Sequence, residues 1–315
     1  MTSAAHESDD NIFEKIKTVG KGAYGRAILY KRIYDDALFI IKKILITDLS
    51  PDERHNTVNE IKILSMLSHK NIISYLDSYE KGNYIMIEME FANDGNLGEY
   101  LSKNNSLLSE KVVLSMFFQI LSAVKYIHQR AIIHRDIKTQ NVFRFKCGLL
   151  KLGDFGISKI LSTKCMASTV LGTPYYISPE ICEGKDYNEK SDIWSLGCLL
   201  YEMCCRKKTF DATNIPALVN KIVNCSYKSI TKKYSLPLRK LISKMFNIAL
   251  SKRPSAEDLY NEISIWKNFE KCRLDFNTDS TSNGSDIKRS ILFYYNTSNQ
   301  SVKPVELPPN IIINK

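Results

Sequence analysis

The sequence predicts a two-lobed α+β fold: a small N-terminal lobe built on an antiparallel β-sheet with one helix, then a larger, mainly helical C-terminal lobe. Three observations predict it. Strand-like sequence interrupted by glycines fills residues 11–45. One helix with a clear start follows at Ser50. After "NDGN" at 93–96 the periodicity turns helical for most of the remaining chain.

Residues 13–33, "FEKIKTVGKGAYGRAILYKRI", read as strands broken by three glycines, and a turn at Asp35-Asp36 leads into the apolar run "ALFIIKKI". The helix that follows has Ser50 as cap, Pro51 at its first position and Glu53 to complete a capping box. Val58, Ile61, Leu64 and Leu67 then recur at helical spacing, and "NYIMIEMEF" at 83–91 reads as a buried strand. Val113, Met116, Phe117, Ile120, Val124 and Ile127 mark the apolar face of a long helix. "SDIWSLGCLLYEM" at 191–203 is apolar nearly all round, as a helix at the centre of its lobe would be, with Ser191 as its expected cap. "PLRKLISKMF" and "AEDLYNEISIW" are amphipathic helices. "NTDSTSNGSD" is polar and turn-rich, and about 272–315 is expected to be disordered. The organisation is therefore a flexible N-terminus at 1–10, an N-lobe at 11–91, a C-lobe at 92–270 and a linker or tail at 271–315.

The chain carries 44 basic and 34 acidic side chains, a net charge of +10. Its longest basic run is Arg206-Lys207-Lys208, and no nucleic-acid reader motif is present, so a basic surface is expected rather than a nucleic-acid partner. None of the eight cysteines forms a C-x-x-C pair, which fits reduced thiols in the cytoplasm. The polar, acidic N-terminus is no signal peptide, and no apolar run reaches membrane-spanning length, so no membrane partner is expected.

Four stretches carry chemistry. "GKGAYGRA" spaces Gly20, Gly22 and Gly25 as G-x-G-x-x-G between two strands, which suits a loop folded over ATP better than a dinucleotide fold. Lys42 ends a buried strand and needs an anion, which Glu60 on the capped helix can provide; strand alternation points Lys43 to the opposite face. "HRDIKTQN" gathers Asp136, Lys138 and Asn141 within six residues. "LGDFG" adds Asp154 eighteen residues after Asp136, and with Asn141 this makes a set of hard oxygens suited to Mg²⁺.

These motifs, in this order and closed by "SPE", resemble the eukaryotic protein kinase family over about residues 13–268. The resemblance implies the bilobal kinase fold and use of ATP with Mg²⁺, or Mn²⁺ in its place. It implies that Lys42, braced by Glu60, holds the α- and β-phosphates, and that Asp136 is the catalytic base. Lys138 would neutralise the transferred phosphoryl group, and Asn141 and Asp154 would ligate the metal. Lys138 at its position resembles Ser/Thr rather than tyrosine kinases. Gly20, Gly22, Ala23, Tyr24 and Gly25 would cover the nucleotide, and Ala27 and Ile40 would line the adenine pocket. Those two depart from the usual valine and alanine, and read as a pair that roughly conserves volume. Met89 falls at the gatekeeper position, with Glu90, Phe91 and Ala92 at the hinge. Glu180 and Arg253 match a structural ion pair, and Asp192 a buried carboxylate that braces the catalytic loop.

"LGTPYYISPEICEGKDYNEKSDIWSLGCLLYEM" and "KTFDATNIPALVNKIV" are similar to NIMA-related kinases, and "DDALFIIKKI" and "DFGISKILS" to the branch that carries an RCC1-like propeller. That resemblance places an activating phosphate on Thr169, with Ser168 as second candidate, opposite a basic pocket formed by Arg135 and Lys159. Tyr75 matches a tyrosine that relatives can turn inward to block the site. Asn96 stands where kinases that favour basic substrates carry a glutamate, so no strong demand for upstream arginine is expected; Ile157 suggests threonine over serine. The implied function is an ATP- and Mg²⁺-dependent Ser/Thr kinase acting on protein substrates under an upstream kinase. The implied setting is cell-cycle, centrosome, microtubule or ciliary signalling, in the cytoplasm or at centrosome or cilium. The rival function is a pseudokinase-like scaffold that binds nucleotide and partners without phosphotransfer. The oligomeric state stays open.

Overall fold

In the computed structural model, the described residues are 12–22, 25–103, 106–155 and 174–265. The N-terminal lobe is a five-stranded antiparallel sheet in the order β1-β2-β3-β5-β4: β1 (Phe13–Gly22), β2 (Gly25–Arg32), β3 (Leu38–Leu45), β4 (Tyr75–Lys81) and β5 (Tyr84–Glu90). Helix α1 (Pro51–Met66) lies between β3 and β4 in sequence. It starts where its chemistry dictates. The Glu53 amide donates to Ser50 Oγ at 3.3 Å, and the Ser50 amide donates to Glu53 Oε2 at 2.7 Å.

Alternation along β3 divides its side chains between two faces. Phe39 and Ile41 pack with Met86 on one face, alongside Phe13, Tyr30 and Tyr79. Ile44 packs with Ile85, Ile87 and Ile61 of α1 on the other. Lys42 shares the parity of Ile44, so it projects from the α1 side.

The second lobe holds α2 (Leu97–Lys103), α3 (Glu110–His128), a two-stranded sheet of β6 (Val142–Arg144) and β7 (Leu150–Leu152), then α4 (Pro179–Cys182), α5 (Glu189–Cys205), α6 (Ile215–Val223), α7 (Leu236–Met245) and α8 (Ala256–Ile265). Its core centres on α3 and α5. Trp194 of α5 stacks on Phe210 at 5.5 Å and meets Phe246 edge-on at 5.1 Å. Among the described residues no helix is long and apolar enough to cross a membrane.

Two local expectations need correction or completion. The cap of α5 is Asn188, not Ser191: the Lys190 amide donates to Asn188 Oδ1 at 2.8 Å, while Ser191 sits one turn in and its hydroxyl accepts from the Asn188 amide at 3.4 Å. Ser191 is buried there and donates to Glu180 at 2.6 Å, a partner no local pattern reveals. Strand β4 was not evident in the sequence, because "YLDSYEK" is too polar to read as a strand by itself. The expected tail disorder at 272–315 lies outside the described residues.

Candidate active site

The glycine-rich turn is built by register. Gly22 faces Gly25, Gly20 faces Ala27, and Ala27 in turn faces Lys42 of β3. A Cβ on Gly25 would stand 1.9 Å from the Lys43 carbonyl oxygen, so only glycine lets β2 leave the turn this close to β3. Ala23 and Tyr24 lie outside the described residues. Ile40 is paired with Leu29 on one side and Met89 on the other, which puts Ala27, Ile40, Lys42 and Met89 on adjacent strands beneath the turn.

Beneath them a small cavity of about 20 Å³ separates the lobes. Lys42, Tyr75 and Met89 line it from the sheet, Leu64 from α1, and Ile73, Gly153, Asp154 and Phe155 from the other side. Across it the Lys42 ammonium reaches Asp154 Oδ1 at 2.7 Å. Lys42 thus meets an anion, as its position demands, but the carboxylate is that of Asp154. Glu60 lies in α1, and its side chain falls outside the described set. The Tyr75 hydroxyl donates to Ser78 Oγ at 2.7 Å while its ring forms part of the cavity wall.

The turn from His134 to Asn141 is held from behind by Asp192 at the start of α5. Its fully buried carboxylate accepts from the His134 amide at 2.9 Å and the Arg135 amide at 3.0 Å. The Tyr187 hydroxyl donates to it at 2.8 Å, and His128 Nε2 lies 2.8 Å away. Burial alone would raise the pKa of Asp192, but the bond to His128 and the bond from the His134 amide hold it below the usual value. Arg135 adopts a left-handed backbone at φ 67°, which aims its own amide at this carboxylate.

His134 is also fully buried, and burial holds its pKa below the usual value despite carboxylates nearby. The neutral ring fits its two bonds: Nδ1 accepts from the Asp136 amide at 3.2 Å, and Nε2 lies 3.2 Å from the Gly153 carbonyl. Phe155 packs on the same ring at 4.6 Å. A single histidine therefore ties the Asp136 turn to the Asp154 turn.

At the front of the turn, Asp136 Oδ2 accepts from Lys138 Nζ at 2.7 Å and from Asn141 Nδ2 at 2.9 Å. Asn141 Nδ2 also reaches the Asp136 carbonyl at 2.8 Å, and the Gly153 amide donates to the Asn141 carbonyl at 3.0 Å. Asp154 sits in left-handed conformation at φ 55° beside a glycine that has no room for a side chain: a Cβ on Gly153 would come 2.7 Å from Ile73. Lys42 thus contacts Asp154, Asn141 and Lys138 contact Asp136, and the Gly153 amide links the two turns through the Asn141 carbonyl. The Asp154 carboxylate is about half exposed, and with the amide oxygen of Asn141 it supplies the hard oxygen donors that Mg²⁺ prefers, so these residues fit that ion.

The hinge departs from a plain linker. Glu90, the last residue of β5, receives Lys151 Nζ of β7 on both carboxylate oxygens, at 2.8 and 2.6 Å, and accepts from the Ser74 amide at 3.1 Å. Phe91 and Ala92 follow it without regular structure. Glu180 and Arg253 form a buried bidentate pair at 2.8 and 3.0 Å. Burial works against the Glu180 carboxylate, but Arg253 and Ser191 hold its pKa below the usual value. Thr169 and Ser168, with Ile157 and Lys159, lie outside the described residues.

Sequence reading missed the pair Lys151–Glu90 and a second cluster, Thr139, Tyr176, Glu202 and Lys208, directly beneath the catalytic turn. Lysines and glutamates at these positions carry no spacing signal; only the fold brings them together.

The sequence model of the protein kinase domain matches residues 13–263. Serine/threonine-protein kinase Nek8 of Danio rerio is 49% identical over 249 residues, covering 78% of this chain and 36% of that protein. Probable serine/threonine-protein kinase nek3 of Dictyostelium discoideum is 49% identical over 255 residues, covering 78% and 23%. Serine/threonine-protein kinase Nek9 of Mus musculus is 43% identical over 259 residues, covering 81% and 26%. The chain therefore spans about a third or less of the length of these relatives.

Proposed function

The chain belongs to the protein kinase family, with NIMA-related members among its relatives, and from that premise we propose that it transfers the γ-phosphate of ATP to serine or threonine in protein substrates. The observation that carries the reading is the pairing of Lys42 with Asp154 and of Asp136 with Lys138 and Asn141, the two turns being tied by the Gly153 amide on the Asn141 carbonyl. Phosphoryl transfer depends on positioning and charge stabilisation, and this set provides both.

In this reading the amides of the turn at Gly20, Gly22 and Gly25 and the strand side chains Ala27, Ile40 and Met89 receive the nucleotide, with Glu90, Phe91 and Ala92 at its adenine edge. Lys42 holds phosphate oxygens. Asn141 and Asp154 would hold Mg²⁺, which would supply positive charge to the phosphates. Asp136 orients the acceptor hydroxyl and takes its proton, and Lys138, already on Asp136 Oδ2, meets the negative charge of the transferred group. Asp192 and the Glu180–Arg253 pair keep the turn and its lobe in place.

The control we propose is an upstream kinase acting at Thr169 or Ser168, with the Tyr75 ring at the cavity wall as a second point of restraint. The setting we propose is the cytoplasm, at centrosome or cilium. The test is transfer of radiolabel from ATP and magnesium to casein, beside Asp136→Asn. Transfer by wild type and a loss of at least about a hundredfold in the variant is the expected result. Equal counts from the two proteins overturn the reading in favour of a nucleotide-binding scaffold.

A further inference from the structure

We propose that Lys208 is a positioning residue for phosphotransfer: it holds Glu202, and through Glu202 and Tyr176 it fixes Thr139 in the catalytic turn. The inference rests on the kinase reading above.

Thr139 is fully buried and lies between Lys138 and Asn141, so its placement sets that of both. It has no bond to the Asp192 brace. Its support comes from below. Its hydroxyl lies 3.0 Å from the Tyr176 hydroxyl and 3.5 Å from Glu202 Oε1, and its amide donates to the Tyr176 oxygen at 3.4 Å. Tyr176 in turn donates its one proton to Glu202 Oε2. Lys208 Nζ donates to Glu202 Oε1 at 2.7 Å and to the Tyr176 oxygen at 3.0 Å, and stands 4.8 Å from the Tyr176 ring centroid.

The proton count makes Lys208 the controlling member. Tyr176 is kept protonated by burial and by the neighbouring Glu202 carboxylate, so its hydroxyl has a single hydrogen and a fixed direction. That hydrogen goes to Glu202, which leaves the phenol oxygen to accept from Thr139. The arrangement needs a carboxylate at Glu202, which is only 12% exposed, and Lys208 is its cation. Without the ammonium, a nearly buried carboxylate faces two hydroxyls, and Thr139 is drawn off Tyr176 towards it. A solvated surface lysine does not fit these facts: Lys208 makes two hydrogen bonds and is one-quarter exposed. Glu202, Tyr176 and Thr139 thus join helix α5, the segment at 174–178 and the catalytic turn.

The test uses the full chain with Lys208→Met, Lys208→Arg and the double variant Glu202→Gln/Lys208→Met. Steady-state kinetics on casein and amide hydrogen exchange are read on each. Lys208→Met is expected to lower kcat about tenfold with KM for ATP unchanged, and to speed exchange at the amides of 139–141 but not in α8. Lys208→Arg is expected to restore kcat, and the double variant to recover part of it, because removing both charges leaves no unpaired carboxylate. An unchanged kcat in Lys208→Met, or faster exchange spread evenly over the lobe, overturns the inference. A wild type no more active than Asp136→Asn overturns the kinase reading instead, and local exchange at 139–141 still decides whether Lys208 holds Thr139.

Discussion

Asp192 offers one fully buried carboxylate to two backbone amides, a tyrosine hydroxyl and a histidine ring. Replacing it by alanine leaves the His134 amide buried and unbonded and the half-buried Arg135 amide without its partner. Each such group costs about 1–3 kcal/mol, so Asp192→Ala is expected to lose a few kcal/mol in urea unfolding and most of its phosphotransfer. A variant that kept both would show that the turn holds its shape without this brace. At this scale the sequence is most legible where a residue type is both charged and fixed in spacing. Lys42, Asp136, Asn141 and Asp154 stand out for that reason, and the fold brings them together. Lys151, Glu202 and Lys208 look the same as solvated charges in the chain, since what distinguishes each is a partner 61, 26 and 32 positions away. Ser191 was misread as a cap because its type suits that role, while its real partner, Glu180, is set by tertiary packing.

The hairpin of β1 and β2 depends on one missing side chain. Gly25→Ala would drive a Cβ into the Lys43 carbonyl, which is backbone of the neighbouring strand and cannot move aside by a rotamer change. The expected outcome is a raised KM for ATP, by about tenfold or more, with the unfolding midpoint of the second lobe little changed. An alanine variant with wild-type ATP affinity would mean that the turn adapts. Elements were legible where local chemistry marks them. The cap of α1 combines serine, proline and glutamate at fixed offsets, and the apolar girth of α5 follows from its central place. Strand β4 has no such mark. Its neighbours, β5 and α1, define it more than its own residues do.

Acid sensitivity belongs to the molecule as a whole, because it sums over sites in different places. His69 accepts from the Asn71 amide and packs at a tilt against Tyr126; burial, then Lys70, Arg130 and Lys151, lower its pKa from 6.5 to about 4. His134 is lowered by burial as well. Between pH 6.5 and about 4 the unfolded chain takes up protons that the folded chain refuses. Their stabilisation is therefore complete above pH 6.5 and declines as pH falls, by about 1–2 kcal/mol at pH 5 for His69. Urea midpoints measured from pH 8 to about 5 should fall with acid, and less steeply in His69→Gln; midpoints flat over that range would refute the account. The two-lobed plan was legible from the change of periodicity after residue 93, whereas the Lys151–Glu90 contact between the lobes was not, because it depends on how the lobes meet. Arg253 and Glu180 carry a further consequence, for synthesis. Seventy-three residues separate them, and each is buried against the other. On the ribosome Glu180 emerges long before its counter-ion, so a nascent chain cannot seat α4 and α5 in their final packing until α7 is already made. During that interval the second lobe holds an unmatched carboxylate and an uncovered apolar helix, while the first lobe, made earlier, has all of its strands. Birth order would make the helical half of the molecule the client of chaperones.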